Sequence, residues 1–146
     1  MSSAWALIES EDHILLIRRA LDRGRGGQWC LPGGTVWKNE QPAVACVREA
    51  YEETGLRITI DHPIAVFDGA HYFRCTLNQN NAPIPPPRLS TRECIDSCWC
   101  SPSDILSLGT VMDLRRLIPL LDLCGLVPPT VNHEMDLAVP EQVYRG

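Results

Sequence analysis

No run of apolar residues in this chain approaches the roughly 20 that a helix needs to cross a bilayer, so no membrane partner is expected. The N-terminus, Met1-Ser-Ser-Ala-Trp5, lacks a basic region followed by a long apolar stretch, and no signal peptide is read there. Excess positive charge is also missing. Lys and Arg total 13 against 18 Asp and Glu, and the formal net charge of −5 disfavours general attraction to a nucleic-acid backbone. No nucleic-acid partner is expected, although a nucleotide held through a metal remains compatible with that charge. The cysteines lack C-x2-C spacing: seven stand at 30, 46, 75, 94, 98, 100 and 124. They read as reduced thiols filling small core volumes in a cytoplasmic protein. Cys94, Cys98 and Cys100 do not have the spacing of a zinc site, and Cys98 and Cys100 flank Trp99 on one face of an expected strand. There is no internal repeat.

What is there suits an ordinary soluble domain: 146 residues, 45% apolar and 21% charged, long enough to bury a core. Residues 1–125 are assigned to one domain and 126–146 to a tail whose patterning does not decide whether it packs. Ala4 to Ile8 and His13 to Arg18 read as a hairpin around Glu-Ser-Glu-Asp. Arg18 to Gln28, with four arginines and three glycines, reads as a loop. Strands are expected over Leu56 to Phe67, broken near Pro63, over Ala70 to Leu77 after an Asp68-Gly69 turn, and over Glu93 to Cys100. The proline-rich stretch from Asn78 to Arg88 is an excursion loop. Ser101-Pro-Ser-Asp104 starts a helical pattern that runs from Ile105 to Cys124, with an interruption at Pro119.

The most informative segment runs from Gly34 to Leu56. Pro42 suits the first turn of a helix, Asn39 and Glu40 stand before it as cap and first-turn acid, and Gly55 stops it. At 100° per residue, Ala43, Val44, Val47, Ala50, Tyr51 and Thr54 share one arc, expected to face the core. Glu49, Glu52 and Glu53 share the opposite arc at i, i+3 and i+4. Carboxylates so crowded repel by a few tenths of a kcal/mol or more per pair. A divalent cation relieves that repulsion, and hard oxygen donors favour Mg²⁺ or Mn²⁺ over zinc. Arg48 lies one turn below Glu52, where an ion pair fixes a carboxylate rotamer.

Gly34, Glu40, Arg48, Glu49, Glu52, Glu53, Gly55 and Leu56 reproduce G-x5-E-x7-R-E-U-x-E-E-x-G-U, where U is bulky and apolar. The segment resembles the Nudix box; only Ala50 is a small residue at a bulky position. Trp29-Cys-Leu-Pro-Gly-Gly34 is similar to the run that leads into that box. The resemblance implies a mixed-sheet α/β/α sandwich and a Mg²⁺-dependent hydrolase, Mn²⁺ being an alternative. Its reaction would be attack of water on a nucleoside diphosphate linked to another moiety. It also implies metal-binding and base-supplying roles for Glu49, Glu52 and Glu53, a backbone carbonyl ligand at Gly34 and an orienting role for Arg48. Glu40 is a secondary candidate, and Glu93 is either a further acid of the site or an exposed strand-end acid. The general base is Glu49 or Glu53.

Arg19, Arg23 and Arg25 are candidates for phosphate contact, or solvated loop residues. Trp37 either stacks on a base or packs over its loop. Tyr72 is either a substrate-binding residue or core. Asn39 stands where many relatives have glycine, and it tolerates the left-handed backbone that turn requires. The implied partner is a small nucleotide or nucleotide-like diphosphate, and a homodimer is compatible with it. Nucleoside triphosphates, damaged ones included, lead over dinucleoside polyphosphates and nucleotide sugars. The competing class is a nucleotide-sensing module without catalysis.

Overall fold

A computed structural model of the chain describes residues 1–78, 87–90 and 92–145. Most of the expected 78–88 excursion therefore lies outside the described residues. Strand β1 (Ser3–Ser10) and β2 (His13–Arg19) form the expected hairpin. Short strands β3 (Trp29–Cys30) and β4 (Gly33–Thr35) lead to helix α1 (Pro42–Thr54). Then come β5 (Ile58–Phe67), β6 (Ala70–Leu77), β7 (Cys94–Cys100), a 3-10 segment (Pro102–Leu108), helix α2 (Leu114–Leu123) and β8 (Gln142–Val143).

The strands make one mixed sheet ordered β3-β2-β1-β6-β5-β8, with β4 paired to β1 and β7 to β2. The β1–β6 ladder is parallel and the others are antiparallel. Alternation along β1 separates two cores. Ala4, Ala6 and Ile8 pack with Ala45, Cys46 and Ala50 of α1 and with Phe73 and Cys75 of β6. Leu7 packs on the other side with Ile64, Phe67, Tyr72, Leu117, Leu120 and Leu121. The two helices thus cover opposite faces of the sheet, which is the expected α/β/α sandwich. No helix among the described residues is long and apolar enough to cross a membrane.

Four expectations are corrected. The cap of α1 is Gln41, without a side-chain cap bond, and no acid lies in the first turn. Asn39 instead takes the left-handed turn at φ 66, which places Glu40 outside the helix. The buried arc of α1 is also rotated: Val44 and Tyr51 are 57% and 46% exposed, whereas Ala45, Cys46, Ala50, Glu53 and Thr54 are buried. Small side chains on α1 meet small side chains on β1, so the helix seats where it approaches the sheet most closely, and that rotation carries Glu53 inward.

The third correction concerns Ile105 to Cys124, which is not one helix. The 3-10 segment ends at Gly109 (φ 133), and α2 begins after Asp113, which is left-handed at φ 54; Pro119 lies inside α2. The break occurs because Trp29 claims the intervening backbone: its N–H donates to Thr110 O at 2.9 Å and its carbonyl accepts from Met112 N at 2.7 Å. Finally, β5 runs through Pro63 without breaking, and its ladder with β6 shifts register at Ile60/His62 and at Pro63/Ala65. Bulges absorb the residue that cannot donate.

The tail is not loose. Its β8 pairs with β5 through Ala65–Val143 and Val66–Gln142.

Candidate active site

Two glycines shape the floor of the site. A Cβ on Gly33 would lie 2.4 Å from Ala4 O, so only glycine permits β4 to lie this close to β1. The Gly33 N–H donates to Glu53 Oε1 at 2.8 Å. That bond holds a carboxyl that is only 4% exposed. At Gly34 a Cβ would stand 2.7 Å from Glu49 Cδ and 2.8 and 2.9 Å from its oxygens, so the missing side chain makes room for the Glu49 carboxyl.

The electrostatics follow from that crowding. Burial, together with the charges of Glu49 and Glu93, pushes the Glu53 carboxyl up to about 8, against the lowering effect of the Gly33 N–H. Burial also raises Glu49, with Glu52 and Glu93 adding to it and Arg48 opposing. The charge of Glu93 thus acts on both helix acids. Arg23 pairs with Glu93 at 3.4 Å.

Arg48 ties the outer acids together. It grips Glu40 with two bonds, Nε to Oε2 at 2.8 Å and Nη2 to Oε1 at 3.0 Å. Its Nη1 donates to Glu49 Oε1 at 3.0 Å and reaches Glu52 Oε2 at 3.2 Å, and its Nη2 donates to Thr35 O at 3.0 Å. The guanidinium lies 3.5 Å from the centroid of the Trp37 ring. Glu40 also accepts from Trp37 N at 2.9 Å, and Arg48 holds its carboxyl below the usual range. The expected Arg48–Glu52 pair is present, but the principal partner is Glu40. Trp37 stacks on Arg48 and remains 57% exposed.

The loop 20–28 is built rather than slack. Arg18 Nε donates to Gly27 O at 2.9 Å and Arg19 Nε to Gly24 O at 2.8 Å, so Arg19 is spent on holding the loop. Arg25, left-handed at φ 58, reaches Asp113 at 3.0 Å. Tyr72 is buried at 4% exposure, stacked near Trp5 (centroids 6.5 Å) and edge-on to Phe67. It lies on the α2 side of the sheet, in the wall of a small cavity of about 10 Å³ with Trp5, Leu31, Met112, Asp113 and Leu117. Arg25, read with Arg19 and Arg23 as a phosphate-contact candidate, is thus paired with an acid. Sequence reasoning passed over Asp113 and Trp5; only a left-handed backbone marks Asp113, and that is invisible in sequence.

The carboxylates and the backbone oxygen are hard donors, and they fit a hard divalent cation. As the side chains stand, no three acids among the described residues already converge on one ion-sized point. Arg48 draws Glu49 and Glu52 toward itself.

The family model of the NUDIX domain matches residues 1–121. The chain belongs to the NUDIX family. It is a MutT-like Nudix hydrolase, an enzyme of nucleotide phosphoanhydride bonds, in a family that generally uses divalent metal ions. A MutT-like protein of Streptomyces ambofaciens is 27% identical over 146 residues, spanning 96% of this chain and 87% of that protein. The CTP pyrophosphohydrolase of Escherichia coli is 31% identical over 102 residues, 69% of this chain and 76% of its own. The crystal structure of an ADP-ribose pyrophosphatase from Streptococcus suis is similar at a TM-score of 0.63 and 25% identity, covering 84% of this chain and 87% of that one.

Proposed function

We propose that this Nudix hydrolase is a Mg²⁺- or Mn²⁺-dependent pyrophosphohydrolase. Its substrate is a nucleoside diphosphate linked to another moiety, with nucleoside triphosphates ahead of dinucleoside polyphosphates and nucleotide sugars. The observation that carries the reading is the buried Glu53 carboxyl, fixed by the Gly33 N–H and raised to about 8 beside Glu49 and Glu93. The likeness to a CTP pyrophosphohydrolase supports the choice of a triphosphate.

Glu49, Glu52, Glu93 and the Gly34 carbonyl would hold the cation, which would offset the diphosphate's charge and acidify the attacking water. Arg48 orients Glu49 and opposes the upward push of burial on its carboxyl. Glu53 serves as the base: Oε1 stays on the Gly33 N–H while Oε2, which has no donor among the described residues, takes the proton. The oxygen of that water bonds to phosphorus as the bridging P–O bond breaks, and the leaving phosphate keeps the electron pair. Arg23, paired with Glu93, would contact a phosphate.

The test is a phosphate-release panel of nucleotides with Mg²⁺, with product masses recorded, for wild type and Glu53→Gln. Cleavage by wild type and a loss of two or more orders of magnitude in the variant are expected. Silence of both on every diphosphate, with ligands still raising the melting temperature, would establish a binding module instead.

A further inference from the structure

A second cleft lies beside the carboxylates, where α1 ends. It is about 630 Å³ in volume, and its lining includes Tyr51, Glu52, Arg57, Asn78, Arg88 and Ser90. Glu52 belongs both to this cleft and to the acid cluster, so the two are contiguous. Arg23, Arg25, Arg48, Arg74 and Arg115 are each paired with a carboxylate. Arg57 and Arg88 pair with none among the described residues, and no Asp or Glu occurs in the sequence between Arg57 and Arg92 except Asp61 and Asp68.

The two arginines are positioned. Arg88 N donates to Thr54 O at 2.7 Å and Ser90 N to Glu53 O at 2.9 Å, which stitches residues 88–90 to the helix end. The Arg57 guanidinium lies 4.7 Å from the centroid of the exposed Tyr51 ring, an arrangement that orients its donors at little entropic cost. A helix C-terminus ordinarily repels anions through its free carbonyls. Here Gly55 N takes Tyr51 O at 2.8 Å, and Ser90 and Arg88 take those of Glu53 and Thr54. With those carbonyls occupied, the cationic field of Arg57 and Arg88 is left to act on a ligand.

We propose that this cleft is a polyphosphate subsite: Arg57 and Arg88 bind phosphoryl groups beyond the diphosphate held at the acids, so the enzyme selects substrates with three or more phosphates. The inference rests on the pyrophosphohydrolase reading, to which it adds the substrate class. An uncharged leaving group, such as a sugar, gains nothing from two arginines, whereas a further phosphate gains charge-assisted bonds.

The test is calorimetric binding of inorganic tripolyphosphate and of pyrophosphate, each with Mg²⁺, to wild type, Arg57→Gln/Arg88→Gln and Arg57→Lys/Arg88→Lys. Wild type is expected to prefer tripolyphosphate by roughly tenfold or more. The Gln pair should lose that preference with pyrophosphate affinity and melting temperature unchanged, and the Lys pair should keep part of it. Equal affinities in wild type, or an undiminished preference in the Gln pair, overturns the subsite. Because binding is read without turnover, a protein that cleaves no diphosphate sinks the catalytic reading alone and still reports on the cleft.

Discussion

The carboxyl of Glu49 fills the volume that a side chain on Gly34 would need, with Glu49 Cδ 2.7 Å from the Cβ position. The φ of Gly34 is not among the positive ones, so alanine meets no backbone penalty there and its effect reports on the contact alone. Gly34→Ala should displace the Glu49 carboxyl, lower kcat/KM by about tenfold or more, and cost about 1–3 kcal/mol of stability as overpacking does. Steady-state kinetics and chemical denaturation check both, and full activity in a folded variant would count against Glu49 as a site residue.

The Arg48–Glu40 pair, with two bonds and side chains only 15% and 9% exposed, should be strongly coupled. A cycle of Arg48→Ala, Glu40→Ala and the double variant should show clearly non-additive losses by urea unfolding. Arg48→Lys should recover less than half of the Arg48→Ala loss, since an ammonium cannot span both carboxylate oxygens. Additive single losses would show that the pair is independent.

Without divalent ions, stability should depend on pH through Glu53. Its folded carboxyl sits at about 8 against an ordinary 4.5, so between those values the folded state binds the extra proton. The contribution is present at the acid end of that window and is lost as pH rises through about 8, to the extent of a few kcal/mol. Thermal melts in chelator from pH 5 to 8 should fall for wild type and flatten for Glu53→Gln. A glutamine still offers an oxygen to the Gly33 N–H. Glu53→Ala removes that acceptor and should destabilise outright, contrary to the sequence-based view that the acid faces solvent.

A chain ending at Gly125 should melt at least about 5 °C lower and aggregate more readily, because the edge of β5 loses its cover. The missing part supplies Glu141 N to Val66 O at 2.8 Å, Tyr144 N to Ile64 O at 2.9 Å and Ala138 N to Arg115 O at 3.0 Å. An unchanged melting curve would make 126–146 a separate appendage.

The features legible in sequence were those set by local chemistry. Pro42 and Gly55 bound α1 because they act within one turn, and Gly34 with Glu49, Glu52 and Glu53 could be placed by spacing. Asn39 took the left-handed turn expected of it. Helix seating was not legible, because the arc that faces inward depends on how closely Ala45 and Ala50 approach Ala4 and Ala6. The break at Gly109 to Asp113 was hidden likewise, since its cause is Trp29, some 80 residues earlier. Arg57 and Arg88 line one cleft only because residues 88–90 return to the end of α1, which no periodicity encodes.

The register of β5 carries one more implication. Its shifts add Asp61 and Ile64 against β6, so that Ile58 and Ile60 face α1 while Ala65 and Phe67 face α2. Losing Asp61 alone would turn Ile58 and Ile60 to the wrong side, whereas losing Ile64 as well would restore them at the expense of one core side chain. Between its ends, the length of this strand is counted in twos.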